Sequence, residues 1–160
     1  MDFAEADRLN EAIRAIGIRH RALAIAALAP LGIHPGHKLL LLELERAGAC
    51  TQAQLAAASG YEPPTITMSV RQLEAAGFVT RRPSLSDGRA TLVELSRQGW
   101  ELLPKLRAAW LQLAEETLAG LSSDSVDQAT NVLTALASNL TLTAGSVDDM
   151  PHYVDRSGQP

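Results

Sequence analysis

The sequence predicts a mainly α-helical chain interrupted once by a small β-hairpin, in the order α-α-α-α-β-β-α-α. Three observations carry this. Ala and Leu dominate while aromatics make up 4% of the 160 residues; both side chains lose little entropy in a helix. Apolar residues recur at three- and four-residue spacings through most of the chain. The pattern turns β-like only at Phe78 to Arg82 and Ala90 to Glu94. The length fits one domain with a core of its own.

Leu9, Ile13, Ile16, His20, Leu23 and Ala27 alternate spacings of four and three, the seam of a long first helix that ends near Pro30 and Gly32. A second helix runs from Pro35, suited to a first turn, to Ala47, with Gly48 just beyond. Thr51 and Gln54 form a capping box that opens a short third helix, and Gly60 stops it. Glu62, Pro63 and Pro64 open a fourth helix with Ile66, Val70 and Leu73 on one face, ended by Gly77. Pro83 to Arg89 read as the hairpin loop. Ser96 caps a fifth helix with Leu103, Leu106, Trp110, Leu113 and Thr117 as its seam, and Pro104 predicts a kink in it. Ser122 and Asp124 open a sixth helix carrying Val126, Ala129, Leu133, Leu136 and Leu140. Residues 145–160 read as a polar, frayed tail.

Several function classes are excluded. No nucleophile elbow, Gly-rich phosphate loop or paired carboxylates stand out, so no enzyme and no cofactor are expected. No dense Cys/His/Asp/Glu spacing points to a metal. No segment has the 18 or more uncharged apolar residues of a membrane span, and no signal peptide is visible. Cys50 is the sole cysteine, which fits a reducing cytoplasm, and its place before the third helix predicts burial. The net charge of −4 counts against nucleic acid, but residues 66–91 hold Arg71, Arg81, Arg82 and Arg89 against Glu74 and Asp87 alone. The apolar seams at both chain ends exceed what a central 50-residue unit can cover, which predicts a homodimer.

The third and fourth helices, joined by a tight turn over residues 51–76, have the spacing of a helix-turn-helix. With Ile66, Val70 and Leu73 inward, Pro64, Thr65, Thr67, Met68, Arg71 and Gln72 face outward: hydroxyls, an amide, a thioether and a guanidinium suited to base edges and phosphates. Of Arg81 and Arg82, adjacent on a strand, one can point toward phosphate.

The run Leu73-Glu-Ala-Ala-Gly-Phe-Val-Thr-Arg-Arg-Pro83, with Ser86-Asp-Gly-Arg-Ala-Thr-Leu-Val-Glu-Leu-Ser96 and Gly99, resembles the MarR family of bacterial and archaeal regulators, over roughly residues 5–142. The sequence departs from that family's pattern at Pro64, Met68 and Gly88. The resemblance implies a winged helix-turn-helix over about 35–95, within one domain of residues 1–144 that dimerises through helices at about 3–29 and 96–143. It implies a cytoplasmic, sequence-specific regulator of double-stranded DNA, most simply a repressor relieved by a small effector, on an inverted-repeat operator. The DNA-contacting set is then Thr65, Thr67, Met68, Arg71, Gln72, Arg82, Asp87 and Arg89, with Arg89 the wing arginine and Asp87 the residue that orients it. The resemblance also implies an effector pocket between the first, second and fifth helices, where His20, Arg21, His34 and His37 fall; a small aromatic or acidic ligand suits apolar walls with a few donors. The plainer reading makes His20 a core histidine and His34 and His37 loop and cap residues. A winged-helix protein-interaction module that never touches DNA, and a metal-responsive regulator, remain the alternatives.

Overall fold

A computed structural model describes residues 1–84 and 90–140. The chain divides into two compact units, residues 1–117 and 118–160. In the first, α1 (Phe3–Leu28) passes through a single 3-10 turn (Ala29–Leu31) and Gly32 into α2 (Pro35–Ala47). There follow β1 (Cys50–Thr51), α3 (Gln52–Ser59), α4 (Pro63–Ala75), β2 (Val79–Pro83), β3 (Thr91–Leu95) and α5 (Arg97–Thr117). The second unit holds α6 (Ser123–Asn139), capped where Ser125 N–H donates to Ser122 Oγ at 3.3 Å.

The two-residue strand β1 adds to the sequence expectation. Cys50 and Thr51 pair antiparallel with Val93 and Leu92, so the sheet has three strands in the order β1-β3-β2. Two residues are too few for any period to show in the sequence.

The core of the first unit gathers Leu28, Ile33, Leu40, Leu41 and Leu44 with Leu55, Ile66, Val70 and Leu73, closed by Val79, Val93, Leu103 and Leu106, every one at most 2% exposed. The seam of α1 lies largely outside it. Only Ala24 and Leu28 of that helix are buried, while Leu9, Ile13, Ile16 and Leu23 are 46%, 38%, 53% and 46% exposed. α5 runs unbroken through Pro104, which faces solvent. Water there can satisfy the Trp100 carbonyl that the missing N–H leaves unbonded. In the second unit Val132, Leu133 and Leu140 are likewise exposed. No single helix among the described residues is long and apolar enough to cross a membrane.

Candidate nucleic-acid interface

Local chemistry sets the helix pair before packing does. Gln54 N–H donates to Thr51 Oγ1 at 3.2 Å and Thr51 N–H donates to Gln54 Oε1 at 2.8 Å, the reciprocal capping of α3. Gly60, at φ +71°, supplies the left-handed residue that ends it. The next helix, α4, starts with Pro63 and Pro64, where missing N–H groups forfeit nothing, and buries Ile66, Val70 and Leu73 to 1% exposure or less.

The outer face of α4 divides in two. Thr65, Met68 and Arg71 are exposed, Met68 at 63%, and Arg71 makes no ion pair among the described residues. Thr67 and Gln72 are engaged. Thr67 Oγ1 lies 3.0 Å from both Gln52 Oε1 and the Pro63 carbonyl. Gln72 Oε1 accepts from His37 Nε2 at 2.9 Å. Apart from the Pro63 carbonyl one turn back on α4, their spacing on the helix gives no sign of this, because Gln52 and His37 come from other helices.

The arginines at the wing base are paired as well. Arg81 bonds Glu74 on α4, and this holds the Glu74 carboxyl below the usual carboxylate range. Arg82 Nε donates to Glu94 Oε2 at 2.9 Å, one diagonal step from its register partner Leu92. The hairpin closes where Ser84 N–H donates to the Ala90 carbonyl at 2.8 Å. Asp87 and Arg89 lie outside the described residues.

The histidines fall into two groups. His34 and His37 stack edge to face at 5.5 Å at the start of α2, where His37 is buried and His34 exposed. Burial lowers the His37 pKa below its ordinary value, against the opposing effect of the Gln72 bond. His20 is exposed and meets the edge of Trp110 at 6.2 Å, and Arg21 beside it is exposed. Trp110 also lines a cleft of about 580 Å³ between α2 and α5, where Lys38 Nζ stands 4.0 Å over its ring and Arg107 bonds Glu45 at 2.5 Å. A second cleft of about 250 Å³ separates α1 from α5. Lys38, Arg107 and Trp110 were not foreseen as cleft residues. The readable signal is a cation and a tryptophan spaced three apart, Arg107 and Trp110, opposite Lys38 and Leu42 four apart. Cys50 is buried, which pushes its thiol pKa up. No cluster of three or more His, Cys, Asp or Glu suited to a metal occurs among the described residues.

Residues 31–90 match the model of the MarR family. The fold is similar to that of a probable transcriptional regulator from Pseudomonas aeruginosa, at 29% identity and a TM-score of 0.72 over 82% of this chain and 98% of that one. It is similar to a mutant MarR from E. coli complexed with operator DNA, at 23% identity and a TM-score of 0.71 over 85% and 99%. It is similar also to Bordetella bronchiseptica BpsR, whose DNA binding is regulated by 6-hydroxynicotinic acid, at 19% identity and a TM-score of 0.68 over 81% and 98%.

Proposed function

We propose that the chain is a transcriptional regulator of the MarR family, whose model residues 31–90 match, and that it acts as a cytoplasmic homodimer reading an inverted repeat in duplex DNA. It is then a regulator rather than an enzyme, and residues 1–144 are its one functional domain. The observation that carries the reading is the exposed stripe of Thr65, Met68 and Arg71 on a helix whose other face is fully buried. A helix so held turns one face outward to a major groove, and side chains of these types bond bases, touch thymine methyls or bind phosphate. Arg89 and Asp87 complete the reading in the wing, and Arg82 reaches DNA only by leaving Glu94. The exposed apolar stripe of α1 supports the homodimer, because a second copy is what covers such a surface in a symmetric assembly.

Regulation follows from the same geometry. A small aromatic or acidic effector suits the cleft between α2 and α5, with Trp110 as a stacking surface and Lys38 and Arg107 as cations; His20 borders it through Trp110. Repression relieved by that effector is the simplest consequence, since a ligand shifts a conformation only by binding one form better than another.

The pairing of Arg81 and Arg82 with glutamates favours a second reading, a protein-interaction module without DNA. One experiment separates them: enrichment of duplexes from a randomised pool by the full-length protein. The DNA reading requires inverted repeats with half-site centres roughly 10 bp apart, and loss of ~1–3 kcal/mol in Arg71→Ala where Arg71 bonds a base. Absence of salt-sensitive duplex binding leaves the interaction module standing.

A further inference from the structure

The first turn of α2 reaches the reading helix through one side chain. His37 is 5% exposed. Its Nδ1 accepts the His34 backbone N–H at 3.3 Å, so the single proton of the neutral ring sits on Nε2, which donates to Gln72 Oε1 at 2.9 Å. Both ring nitrogens are used, and the ring has one orientation.

Gln72 and Thr67 stand on opposite flanks of the buried face formed by Ile66, Val70 and Leu73, at 100° per residue around α4. Gln72 is bonded to His37 on α2, while the Thr67 hydroxyl shares its one proton between Gln52 Oε1 on α3 and the Pro63 carbonyl on α4 itself, each at 3.0 Å. Apolar packing sets which face of α4 turns inward, and a directional hydrogen bond fixes its roll more finely. The Gln72–His37 bond on one flank resists roll directly, with the shared Thr67 contact to Gln52 on the other. The roll angle decides whether Thr65, Met68 and Arg71 meet base edges in bonding geometry, whereas attraction to phosphates barely depends on it.

We propose that His37 is a positioning residue for sequence reading: it touches no DNA, and through Gln72 it fixes the roll of α4 and thereby specificity rather than overall affinity. The proposal rests on the DNA-reading function proposed above.

The test uses the duplex that the full-length parent protein enriches from a randomised pool, against a scrambled duplex of equal length at one salt concentration. Gln72→Met removes the acceptor at an exposed site, and His37→Gln removes the ring. Each is expected to lower the ratio of the two affinities about three- to tenfold, as loss of one ordinary hydrogen bond does, and in His37→Gln, which removes no group from the DNA-facing surface, scrambled-duplex affinity is unchanged. The double variant loses no more than the worse single variant, because both break the same bond. Gln72→Glu keeps an acceptor, and keeps the ratio while weakening both duplexes alike. Imidazole nitrogen spectra show one Nε2–H tautomer for His37 in the parent, kept in Gln72→Met because the His34 N–H still occupies Nδ1, with the Nε2–H signal shifted by loss of its acceptor. Equal losses on both duplexes in His37→Gln, additive losses in the double variant, or a ratio untouched by Gln72→Met overturn the positioning role while the DNA reading stands. A parent that enriches no duplex overturns both.

Discussion

The backbone of Gly99 lies so close to Phe78 that a Cβ at position 99 would stand 2.1 Å from the Phe78 carbonyl oxygen. That oxygen already accepts the Ser96 N–H at 3.0 Å, and the Gly99 N–H donates to Ser96 Oγ at 3.0 Å. The joint between wing and α5 is therefore built backbone against backbone, with no flexible side chain to give way. Gly99→Ala is expected to destabilise the fold by about 1–3 kcal/mol or more, read as a lowered urea midpoint at unchanged slope. A midpoint equal to the parent's would show that the joint yields freely.

Glu94 holds the Arg82 guanidinium at 2.9 Å on the wing base. Glu94→Gln removes the competing carboxylate and leaves Arg82 to phosphate. Affinity for enriched and scrambled duplexes alike is expected to rise, with the salt slope steeper by about one counterion. A slope that does not move means Arg82 stays clear of the backbone.

His37 gives stability a defined pH dependence. Burial sets its folded-state pKa below the ordinary 6.5, so the unfolded chain takes up its proton first as pH falls. The contribution is full above pH 6.5, declines as pH falls from there to the folded pKa, and is flat below it. Among the described residues the titratable neighbour acting on the ring is His34, which lowers the His37 pKa further. Urea midpoints measured down that window should fall more steeply for the parent than for His37→Gln. Parallel curves would remove His37 as the titrating group.

Salicylate is the probe for the cleft at Trp110. It is expected to raise the melting temperature and weaken duplex binding, with both effects reduced in Trp110→Ala and, through the ring edge at 6.2 Å, in His20→Ala. A response to zinc but to no aromatic acid moves the reading to a metal sensor. A salicylate response undiminished in Trp110→Ala places the ligand elsewhere.

Ile16 is 53% exposed in the middle of α1. Sedimentation at low micromolar concentration should show one species near twice the chain mass, and Ile16→Glu should shift it toward the monomer with a loss of stability, because folding and assembly are linked. A parent that sediments as a stable folded monomer removes the dimer.

The helix boundaries were legible because they are written in single residues with fixed backbone demands: Pro35 and Pro63 at helix starts, Gly48, Gly60 and Gly77 at ends, Thr51 with Gln54 as a cap. The inward face of α4 followed from period alone. The contacts of Thr67 with Gln52 and of Gln72 with His37 did not, since these partners lie 15 and 35 residues away and only the packing of α2, α3 and α4 brings them close. The pairing of Arg82 with Glu94 depends on strand register, which a long connection between strands leaves open in the sequence. The seam of α1 was legible as apolar, but periodicity does not say which surface covers it.

The order β1-β3-β2 puts β3 in the middle of the sheet, bonded on one side to the residues that cap α3 and on the other to the strand leaving α4. A tilt of the wing strands must then drag Thr51 and the start of α3 with it, or break ladder bonds on one side. Within a subunit, the two elements that would grip DNA thus behave as one casting with a fixed gauge between them. In the proposed homodimer, tolerance for operators of different pitch would then have to come from outside that casting, from how two such castings are set relative to each other.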